Sequence, residues 1–393
     1  MKSVKFITFF FYIVFAVLAC SSHNETDPNG GKIPDNDETS DVDFAKGADI
    51  GWNTEYESKG YNFYNAKGEK RECTALMKEL GLNAIRIRVW VDPKEHDNWC
   101  NTADVVLKAQ RAKALGMDVM IDFHYSDWWA DPAQQNKPAS WAGKNLVDLK
   151  KALGDHTVNV LQALKTAGVT PKWVQVGNEI RPGMLWDEDV TLSGASYNVK
   201  ESDLKDAPEN ASDKVIYPMN WGNLGAFVTT GYNAVKSVFA DAIVIVHLDN
   251  GWDNDLFTWF FDELKKNGGK WDMIGMSLYP YWSRDAKPNY TSADAVITDC
   301  INNIKSVSTK YSCDVMVVET GMECADNYGK LVSASVLAEG KRQLARILKE
   351  CKENTNGRCK GVFYWEPECR PSQYRLGAFT EEGRPTVIMD AFK

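Results

Sequence analysis

Eight short apolar runs alternating with stretches of helical periodicity set the strongest constraint on how this 393-residue chain can fold. The runs fall at 47–52, 83–90, 118–124, 172–180, 242–248, 273–279, 314–320 and 361–367. Segments with apolar residues at helical spacing lie between them, at 69–80, 104–115, 146–167, 224–239, 255–267, 292–310 and 333–352. Gly81, Gly116, Gly168 and Gly268 stand where helices should stop. Strand–helix alternation predicts parallel strands joined by crossover helices. Eight units of about 30 to 50 residues predict an α/β fold, a closed (β/α)8 TIM barrel in a single domain over 44–393.

In such a barrel, chemistry sits at the C-terminal ends of the strands. Those ends offer Asp49, Arg86, Arg88, His124, Asn178, Glu179, His247, Tyr279, Glu319, Trp365 and Glu366. The run at 83–90 alternates strictly. Ile85, Ile87 and Val89 face the outer helices, while Arg86 and Arg88 enter the barrel mouth, where they need carboxylates or a ligand. The fourth run ends in Asn178-Glu179 and the seventh in Glu319, and paired carboxylates across a cleft are what glycosidic hydrolysis requires. Either Glu alone reads better as an ion-pair partner for Arg86 or Arg88. The pair, with Asn178 before the first, favours catalysis: Glu179 as acid/base, and Glu319 as a nucleophile kept ionised by Arg86. No HxH or HExxH motif supports a metal centre.

Other classes are excluded more simply. A formal charge of -9 argues against nucleic acid, and no phosphate-binding glycine loop follows a strand. The 14 Trp suit a sugar cleft, since an indole offers a flat stacking face. Residues 1–20 read as a signal peptide, with a basic start, an apolar run from Phe6 to Val17, and Leu18-Ala19-Cys20 resembling a lipobox. Residues 21–43 are polar and read as a flexible linker. The expectation is an exported lipoprotein, at the outer membrane facing the cell surface or the periplasm and touching the membrane only through Cys20, with ordinary secretion as the alternative. Export permits disulfides among the remaining eight cysteines, and Cys351 with Cys359 is the first candidate pair.

Five segments carry a family resemblance: Gly47-Ala48-Asp49-Ile50-Gly51-Trp52, Arg86-Ile87-Arg88-Val89-Trp90, the stretch from His124 through Asp127 to Pro132, Gln175-Val176-Gly177-Asn178-Glu179, and Gly361 through Trp365 to Pro367. Together they resemble glycoside hydrolase family 53 of clan A, the retaining endo-β-1,4-galactanases acting on galactan side chains of pectin. The resemblance implies Glu179 as acid/base, Glu319 as nucleophile and Asn178 as partner of the sugar 2-hydroxyl. Arg86 would support the nucleophile. His124, Asp127, Tyr279 and Trp365 would bind substrate, with Trp365 as the floor. It implies a monomer needing no cofactor for catalysis. Bacterial members often hold a structural calcium near the loops after strands seven and eight. Here the loop at 321–327 is short, so calcium stays open and unassigned, and a Cys324–Cys369 bridge is an alternative brace. Trp128, Trp129, Trp141, Trp252 and Trp282 stay open between packing and sugar stacking. Hydrolysis of another β-linked glycan, mannan or xylan, and non-catalytic glycan binding are the competing functions.

Overall fold

The computed structural model describes residues 44–186, 221–286 and 292–393. The signal peptide, Cys20, the linker and most of the long connection after Glu179 lie outside the described residues. Asp43–Lys393 forms one compact unit.

Eight parallel strands close into a barrel. They are β1 (Ala45–Asp49), β4 (Ala84–Val89), β5 (Asp118–Phe123), β6 (Trp173–Val176), β7 (Ile243–Leu248), β8 (Met273–Leu278), β9 (Asp314–Thr320) and β10 (Cys359–Trp365). The expected eight runs are these strands, shifted at their ends by a few residues. Between β1 and β4, a small hairpin of β2 (Phe63–Tyr64) and β3 (Lys70–Arg71) takes the first part of the segment expected to be helical.

The helices are α1 (Asn53–Ser58), α2 (Cys73–Glu79), α3 (Thr102–Ala114), α4 (Leu146–Thr166), α5 (Trp221–Val238), α6 (Asn254–Lys266), α7 (Pro280–Ala286), α8 (Ala293–Tyr311) and α9 (Ala334–Glu353). Their starts are local chemistry. The side chains of Asn101, Asn145, Asp253, Ser292 and Ser333 accept backbone N–H bonds at the first turns of α3, α4, α6, α8 and α9. Gly81, Gly116, Gly168 and Gly268 follow helix ends with positive φ, where a Cβ would be strained. No described helix is long and apolar enough to cross a membrane.

Strand alternation builds two cores. Outward residues such as Ile85, Ile87 and Val89 join the large cluster that includes helix residues such as Val105, Leu161 and Phe257. Inward residues from all eight strands, including Ala45, Ala84, Met120, Trp173, Ile245, Met273, Met316 and Phe363, plug the barrel. Further along the same strands the inward positions turn polar, and the site begins there.

All eight cysteines among the described residues are free thiols. The Cys324–Cys369 brace is not formed. Cys324 Sγ points to the Phe379 carbonyl at 3.9 Å, whereas Cys369 lies beside Tyr56 and Glu368. Cys351 and Cys359 are neighbours whose thiols hydrogen-bond to each other.

Candidate active site

Two departures from regular strand geometry aim the carboxylates. On β9 the register slips by one residue: Met276 pairs with Val317 but Ser277 pairs with Glu319. The same extra residue shows on the other side, where Val362 pairs with Val317 and Tyr364 with Thr320. A bulge of this kind re-aims a side chain. Val318 stays in the inner plug while Glu319, its immediate successor, lines the cavity at the mouth. After β6 the chain turns through Gly177 (φ 83°) and Glu179 (φ 47°). A left-handed Glu is costly, about 1–3 kcal/mol, and is sustained here by its surroundings. The Ile180 N–H donates to the His247 carbonyl at 3.1 Å, tying the turn to β7.

Arg86 is the hub, fully buried beneath the mouth. Its Nη1 donates to Glu319 Oε1 at 2.8 Å and to Asp49 Oδ2 at 3.0 Å. Its Nη2 reaches Asn178 Oδ1 and Asp122 Oδ2, both at 2.8 Å, and Gln175 Oε1 at 3.1 Å. One guanidinium therefore serves three carboxylates and orients the Asn178 amide, whose Nδ2 donates to the Ala130 carbonyl at 2.8 Å. Tyr279 donates its hydroxyl to Glu319 Oε2 at 2.9 Å, so both oxygens of Glu319 are held. His124 Nδ1 accepts from the Ala130 N–H at 3.0 Å, which leaves Nε2–H to donate to Asp122 Oδ2 at 3.0 Å.

The two candidate carboxyls sit in unlike fields. Burial pushes Glu319 up to about 7, against the pull of Arg86 and of the Tyr279 hydrogen bond. Burial pushes Glu179 well above the carboxylate range, reinforced by the charges of Glu319 and Asp249 and opposed by a hydrogen bond from Ser277. Glu179 therefore holds its proton to higher pH than Glu319, an order set by the cation that only Glu319 touches.

A cavity of ≈ 700 Å³ opens above these groups. Of the residues singled out in the sequence, His124, Asn178, Glu179, Tyr279, Glu319 and Trp365 line it, with Trp129 and Trp282 among the open tryptophans. Trp365 meets Trp129 at 5.7 Å and Tyr374 at 4.7 Å between ring centroids, forming an aromatic wall. Arg86 acts from below. Asp127 is elsewhere: its two oxygens accept from the Asp92 and Ala139 N–H groups at 2.9 and 2.8 Å, bracing the loop behind the cavity. Trp128 stacks on His96, Trp141 packs near His156, and Trp252 is buried. Glu366 pairs with Arg88, whose guanidinium lies over Trp129 at 4.3 Å from the ring centroid.

Asp122 and Ser277 stand in no motif, and Gln175 opens the Gln175–Glu179 segment with no role assigned to it, yet each is built into the site. A signal was available: each is a lone polar residue on the inward register of an apolar strand. Around the calcium question, the loop at 321–327 is already served by protein donors. Arg375 bonds Glu323 Oε1 and, at 2.6 Å, Asn327 Oδ1, while Asp326 Oδ1 accepts the Tyr328 and Lys330 N–H groups at 2.9 Å. Among the described residues no three His, Cys, Asp or Glu side chains converge as a metal site. Arg375 supplies a positive charge to Glu323 in this loop.

A parallel eight-stranded barrel with an Asn-Glu after its fourth strand and a cation-held Glu on its seventh defines a (β/α)8 glycoside hydrolase. The family model described as glycosyl hydrolase family 53 matches residues 45–385, and the chain belongs to that family. An endo-beta-1,4-galactanase of Bacillus subtilis is 29% identical, the match covering 89% of this chain and 75% of the relative. An uncharacterized Niallia circulans protein is 33% identical, over 84% of this chain and 85% of its own. Among solved structures, the GH53 catalytic domain of Ignisphaera aggregans superposes with a TM-score of 0.72 at 26% identity, covering 90% of this chain and 96% of that one. A fungal beta-1,4-galactanase gives 0.70 at 25% identity, covering 88% and 98%.

Proposed function

We propose that this protein is a retaining endo-β-1,4-galactanase acting on the β-1,4-galactan chains of type I arabinogalactan. In the first half-reaction Glu179 donates its proton to the leaving glycosidic oxygen while Glu319 attacks the anomeric carbon. Water then displaces Glu319 from the glycosyl-enzyme, with Glu179 taking the water's proton. Asn178 is the partner of the sugar 2-hydroxyl, Tyr279 and Arg86 spread the charge released on Glu319, and Trp365 with His124 seats the cleaved sugar. The observation that carries this reading is the asymmetry of the carboxyls: among the described residues Glu319 is hydrogen-bonded by a guanidinium and a phenol, and the Glu179 carboxyl by a serine hydroxyl. Purified protein lacking residues 1–20 should release short oligosaccharides from linear β-1,4-galactan. Action on xylan or mannan with none on galactan would overturn the substrate.

The same reading takes the protein as an exported monomer, anchored through a lipidated Cys20 at the outer membrane and working on polysaccharide at the surface or in the periplasm. Palmitate labelling of the full chain in its host, lost in Cys20→Ala, tests the anchor. In that oxidising setting Cys351 and Cys359 are the thiols placed to bridge, which a mass shift on non-reducing peptide mapping would register.

A further inference from the structure

Glu179 presents two oxygens with different surroundings. Oε1 accepts from the Ser277 hydroxyl at 2.5 Å. No hydrogen bond from a described residue reaches Oε2, and Glu179 lines the cavity. Behind Ser277, His247 Nε2 lies 2.8 Å from the same hydroxyl oxygen. The direction of this chain follows from the far side of the imidazole. Nδ1 receives the Glu179 backbone N–H at 3.4 Å, a donor that cannot reverse, while the Gln175 amide nitrogen 3.0 Å away divides its two hydrogens among Nδ1, Asp122 Oδ1 at 2.6 Å, the Gly177 carbonyl and Asn178 Oδ1. Asn178 Oδ1 is also 3.0 Å away, but it already accepts Arg86 Nη2 at 2.8 Å. Nδ1 is thus the acceptor and Nε2 carries hydrogen. Burial, with Arg86 and His124 nearby, keeps His247 neutral. The polarity then runs one way: Nε2–H to Ser277 Oγ, and the Ser277 O–H to Glu179 Oε1.

We infer that Ser277, backed by His247, is a positioning residue that reserves Oε1 as an acceptor and so holds the proton of Glu179 on Oε2; this rests on the acid/base role proposed above. A carboxyl free to carry its proton on either oxygen would spend part of its time with that proton turned from the glycosidic bond. The hydroxyl also stabilises the ionised form needed when Glu179 acts as base. The other groups bearing on Glu179 are Glu319 on β9, Asp249 after β7, Asp131 in the loop after β5, Arg181 in its own loop and Tyr279 after β8. None of the hydrogen bonds of the described residues puts any of these on Oε1.

Two measurements decide it. Nitrogen-15 NMR of the wild-type enzyme should show His247 as the neutral Nε2–H tautomer, and a hydrogen on Nδ1 would overturn the polarity. Ser277→Ala should lower kcat/KM on galactan about tenfold, yet spare a dinitrophenyl galactobioside, whose leaving group needs no proton. Its basic limb should move up by about one pH unit, and Ser277→Thr should restore both. Equal losses on the two substrates, or an unmoved limb, would refute the role. If Ser277→Ala fails to fold, the His247 tautomer alone upholds or overturns the proposal. Wild-type protein inactive on galactan would count against the galactanase reading instead, while the tautomer still tests the hydrogen-bond chain.

Discussion

Arg86 Nη1 lies 2.8 Å from Glu319 Oε1, and its Nη2 the same distance from Asn178 Oδ1, so one guanidinium fixes groups from two strands on opposite sides of the mouth. The geometry couples activity and stability at a single residue. Removing the cation leaves Asp49, Asp122 and Glu319 buried without their common partner. Arg86→Met should lower unfolding free energy by about 3–5 kcal/mol, read by urea titration. An unchanged midpoint would mean the carboxylates find other partners.

Loss of the nucleophile should be far more selective. Glu319→Ala should reduce kcat on galactan by on the order of 10⁴-fold or more, while calorimetry still registers oligosaccharide binding. Early product from the wild type should be the β-anomer by proton NMR, and an initial α-anomer would rule out double displacement.

The pH profile follows from the two fields. Glu319 must be ionised, and burial pushes it up to about 7, so kcat/KM should rise with pH through that region. Glu179 must be protonated and titrates higher, which sets the falling limb. Tyr279→Phe deletes a donor that favours ionised Glu319. Its acidic limb should therefore move to higher pH by about one unit.

His156 predicts a stability change of its own. The Nε2 atom is buried without a hydrogen-bond partner, among Phe123, Tyr125 and Trp141. Burial lowers its pKa from 6.5 to about 4. Between these values the unfolded chain binds a proton that the folded chain refuses, so stability falls as pH drops from 6.5 to about 4. The loss is about 3 kcal/mol at most. Above 6.5 both states are neutral and this contribution is flat. His156→Phe should flatten the same window in thermal melts taken across pH.

Arg375 replaces the question of calcium with a testable charge. It bonds Glu323 and Asn327 from the loop after β9. Chelator should leave Tm unchanged, whereas Arg375→Ala should lower it by a few degrees. A melting temperature that drops with chelator would show a cation that this arginine does not replace.

Much of the architecture is local and was legible along the chain. Period-two and period-3.6 patterns, with Gly after helices and Asn, Asp or Ser before them, mark the barrel strands and most of its helices, because caps and periodicity act within a few residues. They also marked Glu179 and Glu319 as strand-end carboxylates. Residues 70–71 escaped this reading because the β2–β3 pairing depends on a partner strand. The family resemblance implies Asp127 as a substrate residue, but two backbone N–H groups claim it from segments far apart in the chain.

What the sequence by itself determined is therefore the repeat, the order of the strands and which residues stand at their ends. Only the tertiary structure decided which way those residues look and what charge they keep. By alternation alone Glu319 would face away from Val318, and the slip against β8 and β10 turns it inward. The same closure brings Ser277 and His247 behind Glu179, and Arg86 beneath Glu319. Hydrogen bonds and fields depend on distance through space, and barrel closure sets residues 233 apart in sequence at 2.8 Å.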